Sequence, residues 1–280
     1  MKRPLRLMCV LAHPDDESLG LGGVLAKYAS EGVETYVVTA TRGERGRFGD
    51  GAERPAPEVV GKVREGELRA AAIELGIREV SILDYVDGEL DRADWGEAVA
   101  KIVGHLRRVR PEVVITFGPD GGYGHPDHIA ISQWTTAAVV CAADPQFEAG
   151  PGLAESVGSH RVLKLYYAVR GKAHWDAFQT LFRRIRITVD AVEREPVPWP
   201  DWAITTVVDA SDHWDAAWRA VRCHKTQLAI YQGLDRLTEA DHKLLWGRQE
   251  FYRVFSMVNG GRARETDLFA GLREVEAGRD

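Results

Sequence analysis

The chain has 280 residues, 45% of them hydrophobic, enough to bury one large core or two modest ones. A formal net charge of −6 argues against a protein that grips nucleic acid through a basic face, and the short run Arg183, Arg184 and Arg186 reads as solvated surface. Three scattered cysteines, Cys9, Cys141 and Cys223, exclude a disulfide framework and a cysteine-rich zinc site, and fit a reducing cytoplasm.

Met1-Lys2-Arg3-Pro4 and the apolar residues after it imitate a signal peptide only briefly. Arg6 interrupts the run, and a histidine-carboxylate cluster stands where a cleavage site would be. No apolar run approaches the ~18 residues of a membrane span. The chain therefore reads as soluble and cytoplasmic.

In chain order, Leu5–Ala12 is expected to be a strand buried on both faces and Leu19–Ser30 a helix, with Gly20, Gly22 and Gly23 allowing close backbone approach. Glu34–Thr39 is the next strand, and residues 41–56 form a loop rich in Gly, Arg and Glu. Pro57–Leu75 is a helix closed by Gly76. Val80–Leu83, Trp95–Arg108, Val113–Phe117 and Pro126–Ala143 continue the alternation of strand and helix, with Pro126 at the first helical position. Repeated units of this length predict right-handed crossovers and an α/β three-layer, Rossmann-like sandwich with a mostly parallel sheet. No G-x-G-x-x-G follows the first strand, and the acidic turn there would repel a pyrophosphate, so a dinucleotide site is not expected.

Residues 144–159 are punctuated by Pro and Gly and read as an irregular connection. Beyond it, Val162–Val169 is strand-like, His174–Leu181 a short helix, residues 195–200 irregular, and Ala203–Val208 a strand. Trp214–Gln227 is a helix with Asp212 as N-cap, and Thr238–Trp246 another with Thr238 as N-cap and Asp241 at N3. There is no internal repeat. Residues 1–143 are expected to be the catalytic core and 144–280 to complete the sheet and shape the substrate site, within one compact domain.

His13-Pro14-Asp15-Asp16-Glu17 leaves the end of the first strand, and His125-Pro126-Asp127-His128 follows the strand at Val113–Phe117. Ligands of open α/β sheets bind outside the carboxyl ends of the strands, so the two clusters can face each other across one crevice. His13, Asp16 and His128 then offer two imidazoles and a carboxylate to a divalent cation, with a position left open for water. Zn2+ suits this set, and iron, cobalt, nickel or manganese would also be accepted. Asp15, beside Asp16 but aimed differently, is a candidate general base. His125 is a candidate proton donor or oxyanion partner, held protonated by the charge of Asp127.

Ala12-His13-Pro14-Asp15-Asp16-Glu17 with Gly20-Leu21-Gly22-Gly23, and Gly122-Tyr123-Gly124-His125-Pro126-Asp127-His128, resemble the two signatures of the LmbE-like (PIG-L) de-N-acetylase family. Thr41-Arg42-Gly43-Glu44, Arg64 with Glu67, Asp87-Gly88 and His224-Lys225-Thr226-Gln227 resemble its further motifs. The lead-in to the second signature is most similar to the mycothiol-pathway branch of glucosaminyl-inositol deacetylases and conjugate amidases. The resemblance implies a zinc-dependent hydrolase that removes acetyl from an N-acetylglucosamine-containing small molecule, with zinc-bound water as nucleophile. It puts His13, Asp16 and His128 on the metal and makes Asp15 the base. Tyr123 and His125 polarise the amide carbonyl, Asp127 tunes that histidine, and Arg64 and Asp87 contact substrate.

Arg42, Glu44 and Arg45, in the loop after the second strand, are candidates for contact with sugar hydroxyls, and His224 for a supporting or substrate contact. Of the five tryptophans 175, 199, 202, 214 and 218, Trp199 and Trp202 are the best candidates for a sugar-stacking face. The alternatives are an amidase for a larger amide and a non-catalytic sugar-binding module. An intact Asp15 and His125 speak against the second.

Overall fold

The computed structural model describes residues 3–49, 54–148, 158–182, 187–189, 192–228, 236–261 and 263–273. In β1 (Arg6–Leu11), Leu7, Cys9 and Leu11 face one side and Met8 and Val10 the other. All five are buried, which puts this strand in the middle of the sheet. There follow α1 (Asp16–Ser30), β2 (Glu34–Thr41), α2 (Pro57–Glu74), β3 (Glu79–Tyr85), α3 (Trp95–Val109), β4 (Val113–Phe117), α4 (Pro126–Ala142) and β5 (Lys164–Val169). These five strands pair in parallel in the order β3-β2-β1-β4-β5. Strand order reverses between β1 and β4, so a crevice opens beyond their carboxyl ends.

Helices cover both faces of the sheet, as the three-layer expectation requires. Met8, Val10 and Val38 pack with Ile102 and Leu106 of α3 and Ile131 of α4. On the other face, Leu7, Cys9 and Leu11 pack with Leu21 and Leu25 of α1. α1 lies tight against its neighbours: a Cβ on Gly22 would come within 2.9 Å of the Ala217 Cβ, and one on Gly23 within 2.1 Å of the Trp246 carbonyl oxygen. α1 starts at Asp16, three residues ahead of the expected Leu19. The Asp16 carboxylate accepts the N–H groups of Ala12 and His13 and turns the chain from strand straight into helix.

The second half departs further from expectation. It contains α5 (Lys172–Phe182), the hairpin β6 (Ile187–Val189) and β7 (Val192–Arg194), β8 (Thr206–Asp209), α6 (Trp214–Cys223) and β9 (Arg248–Ser256). β9 has no counterpart in the sequence reading, yet it pairs antiparallel with both β5 and β8 and completes a seven-stranded sheet. Its Gln249 and Glu250 are buried because backbone groups meet them: the Val24 N–H and Gly20 carbonyl for Gln249, and the Gly171 N–H for Glu250. Charged and aromatic residues thus mix along the strand, without the alternation that marks a half-exposed one.

The expected strand 203–208 begins only at Thr206, after a 3-10 turn at Asp201–Ala203. The expected helix 214–227 ends at Cys223, because His224 leaves the helical region at ψ 58° and a separate turn, Lys225–Leu228, follows. Asp212 is not its N-cap; it lies in the 3-10 turn Ser211–His213, and His213 occupies the cap position. Thr238 and Asp241 do form a reciprocal capping box at Glu239–His242. Glu265 ties the following segment to the sheet, taking the buried Lys164 ammonium at 2.7 Å and the Tyr166 and Thr206 hydroxyls at 2.7 and 2.8 Å. Arg183, Arg184, Arg186 and residues 149–157 and 274–280 lie outside the described residues. Among the described residues no helix is long and apolar enough to cross a membrane.

Candidate metal centre

The two histidine-bearing turns meet at the switch point. His13 Nδ1 lies 3.2 Å from His128 Nε2 and 3.7 Å from Asp16 Oδ2, and His128 Nε2 is 3.4 Å from Asp16 Oδ1. Three donors on a tetrahedral cation at ~2.0–2.1 Å are about 3.3 Å apart, so these atoms can hold a metal ion with little movement. The opposite ring nitrogens are held from behind. His13 Nε2 donates to Asp127 Oδ2 at 3.0 Å with Asp87 Oδ1 at 3.2 Å, and His128 Nδ1 donates to the Gly121 carbonyl at 3.2 Å. Such contacts leave a lone pair on each inward nitrogen.

Electrostatics favour positive charge here. Burial pulls the His13 pKa down, but the bonds to Asp127 and Asp87 and the charge of Asp16 outweigh it and push it up to about 10. Burial pushes Asp16 up to about 7. Asp87 falls to about 2: burial works against this, and its bond to His13 prevails. A cluster of acids that holds a proton on a buried imidazole has the charge deficit that a divalent cation fills.

Asp15 sits in the left-handed region at φ 108°, a strained position for a residue with a side chain. The turn tips its carboxylate away from Asp16 toward Arg64, whose Nη2 is 3.1 Å from Oδ2. Arg64, 3% exposed, also donates to the Gly43 and Pro14 carbonyls. A Cβ on Gly43, at φ 63°, would meet the Arg64 guanidinium at 2.1 Å, so the loop after β2 closes directly over it. The Asp15 N–H donates to Glu17, and Glu17 Oε1 lies 2.7 Å from His224 Nε2. Both Glu17 and His224 are buried. Burial opposes the charge on each, and their mutual attraction overcomes it, raising His224 and lowering Glu17.

His13, Asp15, Asp16, Arg64, Asp87, Tyr123, His125 and His128 line one cavity of about 520 Å³, so most of the sequence candidates converge. The others lie elsewhere. Arg42 is turned out into ion pairs with Glu65 and Asp84, and Arg45 and Arg47 line the cavity in its place. His224 lies behind Asp15, spent on Glu17. Asp127 is completely buried and takes the Gly88 and Leu90 N–H groups besides His13. Its carboxylate therefore does not hold His125 protonated. The His125 pKa falls to about 4, from burial first and then repulsion by His13. The Asp127 N–H occupies His125 Nδ1, which leaves Nε2–H as the donor of a neutral ring. Trp202 is 84% exposed, whereas the buried Trp175 lines the cavity. Trp214 and Trp218 stack on His242.

Sequence reasoning missed Glu17 and Arg170, and it ranked Trp175 behind Trp199 and Trp202. Arg170 directly follows β5, so the rule that ligands bind beyond strand carboxyl ends could have singled it out.

Residues 8–139 match the family described as PIG-L: GlcNAc-PI de-N-acetylase. A 1D-myo-inositol 2-acetamido-2-deoxy-alpha-D-glucopyranoside deacetylase of Kineococcus radiotolerans is 34% identical, over 97% of this chain and 84% of its own. The chain belongs to the PIG-L family. The span matched by the PIG-L description runs from β1 into α4, and so contains every donor of the candidate metal centre. Two solved structures share the fold of this PIG-L chain. The N,N'-diacetylchitobiose deacetylase of Pyrococcus horikoshii has a TM-score of 0.65 and 19% identity, covering 89% of this chain and 83% of its own. The 4-carboxy-2-hydroxymuconate hydratase of Pseudomonas putida has a TM-score of 0.64 and 21% identity, covering 92% and 100%. A hydratase on the same scaffold means that the reaction must be argued from the PIG-L site, not from the fold.

Proposed function

We propose that this PIG-L chain is a zinc-dependent deacetylase that hydrolyses the N-acetyl group of an N-acetylglucosamine unit, with a glucosaminyl-inositol as substrate. The observation that carries the reading is the donor triad of His13, Asp16 and His128, 3.2–3.7 Å apart, in one cavity with the Asp15 carboxylate. The name of the Kineococcus radiotolerans relative supports the sugar-inositol.

Two imidazoles and one carboxylate would hold Zn2+, which supplies a Lewis acid that acidifies water and polarises a carbonyl. Asp15 stands beside the triad without belonging to it, and Arg64 fixes its direction. It takes the proton of the attacking water and returns it to the departing amine. His125, neutral and carrying Nε2–H, donates to the amide oxygen as negative charge grows there, and Tyr123 stands over the same rings, 5.9 Å from His125 and 5.3 Å from His128 between centroids. Donors aimed at a developing oxyanion are worth about 3–4 kcal/mol each in comparable sites. Arg64, Asp87, Arg45 and Arg47 form the wall on the Asp15 side and receive the sugar hydroxyls. On this reading residues 1–143 carry the chemistry and much of the sugar-facing wall, and residues 144–280 complete the cavity with Arg170, Trp175, Phe178 and Gln227. Unpaired Cys9, Cys141 and Cys223 support a cytoplasmic setting.

The test is acetate release from 1D-myo-inositol 2-acetamido-2-deoxy-α-D-glucopyranoside by metal-stripped protein reloaded with zinc. Stoichiometric acetate and free amine are expected. No release with zinc bound would refute the reading.

A further inference from the structure

Behind the candidate metal centre lies a second, smaller space of about 70 Å³. It shares Asp16, Phe117, Tyr123, His128, Arg170 and Trp175 with the main cavity. Asp15, Arg64, Asp87 and His125 line only the large cavity, and Ala168, Val169, Trp199 and Phe251 only the small one. A bound amide divides in the same way. With its carbonyl at the donor triad, the sugar on nitrogen needs the large polar side, and the carbon chain on the other side of the carbonyl needs a separate place.

The small chamber suits an uncharged chain. Its walls are largely aliphatic and aromatic, and most of the polar groups among them are already engaged, the exception being Asp120, whose buried Oδ1 has no partner. Glu250 Oε2 takes the Gly171 N–H at 2.7 Å, and its Oε1 lies 3.2 Å from Arg248 Nε. The Arg170 guanidinium lies 5.4 Å from the centre of the Trp175 ring. His174, in the same wall, is kept neutral by burial, its pKa lowered to about 3. At ~10–15 Å³ for each water-sized group, 70 Å³ holds roughly five to seven such groups, several more than the methyl of an acetyl needs.

We infer that this chamber is an acyl pocket, and that the protein removes propionyl and butyryl as well as acetyl groups from the amino sugar while excluding long chains. The inference rests on the deacetylase reading. It also argues against the larger-amide alternative, whose acyl part would overfill the chamber. Each turnover adds water across the amide, breaking the C–N bond to give a free carboxylate and the sugar amine, so no further reactant is needed.

The test uses zinc-loaded full-length protein and 1D-myo-inositol 2-acylamido-2-deoxy-α-D-glucopyranosides bearing acetyl, propionyl, butyryl or decanoyl groups, with release of primary amine as the readout. Propionyl and butyryl substrates are expected within about tenfold of acetyl in kcat/KM, and decanoyl at least a hundredfold lower. Trp199→Ala, which widens only the small chamber, is expected to raise the decanoyl-to-acetyl ratio at least tenfold, and Trp199→Phe by a smaller factor in the same direction. If acetyl is released but propionyl and butyryl fall more than a hundredfold behind, or if neither Trp199 variant moves the ratio, the pocket assignment fails and the deacetylase reading stands. Release from none of the four would bring down both.

Discussion

The parallel half of the sheet and the antiparallel edge added by β9 and β8 contribute different things to one cavity. The parallel half supplies the donor triad and Asp15: His13 and Asp15 on the turn that leaves β1, Asp16 at the start of α1 and His128 in the first turn of α4, with Arg64 of α2 holding Asp15. From β5 onward the chain supplies Arg170, Trp175 and Trp199, which line the smaller space. The candidate reacting groups come from two short clusters, residues 13–16 and 125–128, which the parallel pairing of β1 with β4 brings together, while Arg170, Trp175 and Trp199 follow β5. A deacetylase and a hydratase share this scaffold, so the fold by itself does not set the reaction.

The comparison breaks first if the parallel half is not where the reaction happens. His13→Ala should lose metal and activity together, down to the uncatalysed background, as read by metal analysis and acetate release. Asp15→Asn should keep its metal while kcat falls by about 10²–10⁴; unchanged turnover would remove Asp15 as the base. Asp127→Asn, which weakens the hold on His13 Nε2, should lower metal affinity by about 10–100-fold in a chelator competition.

Smaller effects sharpen the role of the other half. Glu265 is held at about 2, although burial works against it, by Lys164 and its other partners. Its depressed pKa contributes stability that is fully present above the ordinary value of 4.5 and is lost as pH falls toward 2. Glu265→Gln should cost on the order of 3 kcal/mol in urea unfolding at pH 7 and much less at pH 3, with the metal centre's donor geometry intact. Trp202→Ala should change kcat/KM by less than about twofold, since an 84% exposed ring touches neither cavity.

The site was legible wherever a short motif carries its own geometry. His13, Asp15 and Asp16 occupy one tight turn, and His125 to His128 the start of one helix, so spacing alone put them at strand ends. Arg42 and Arg45 show the limit. Both lie in the loop after β2, yet Arg42 turns out to pair with Glu65 and Asp84, whereas Arg45, paired with Glu89, stays at the cavity. His125 shows it again: the sequence puts an acid two residues away, but that acid turns to His13.

From the sequence alone followed the α/β class, the alternation of elements from β1 to α4, and the two clusters that form the candidate metal centre, because apolar runs, caps and turns act over a few residues. Tertiary structure decided the rest. It chose β9 as an interior strand, since Gln249 and Glu250 become buriable only when Val24, Gly20 and Gly171 meet them. It also divided the cavity in two, because the walls of the smaller space are brought together only by the pairing of β5 with β9 and the packing of α1 beside them.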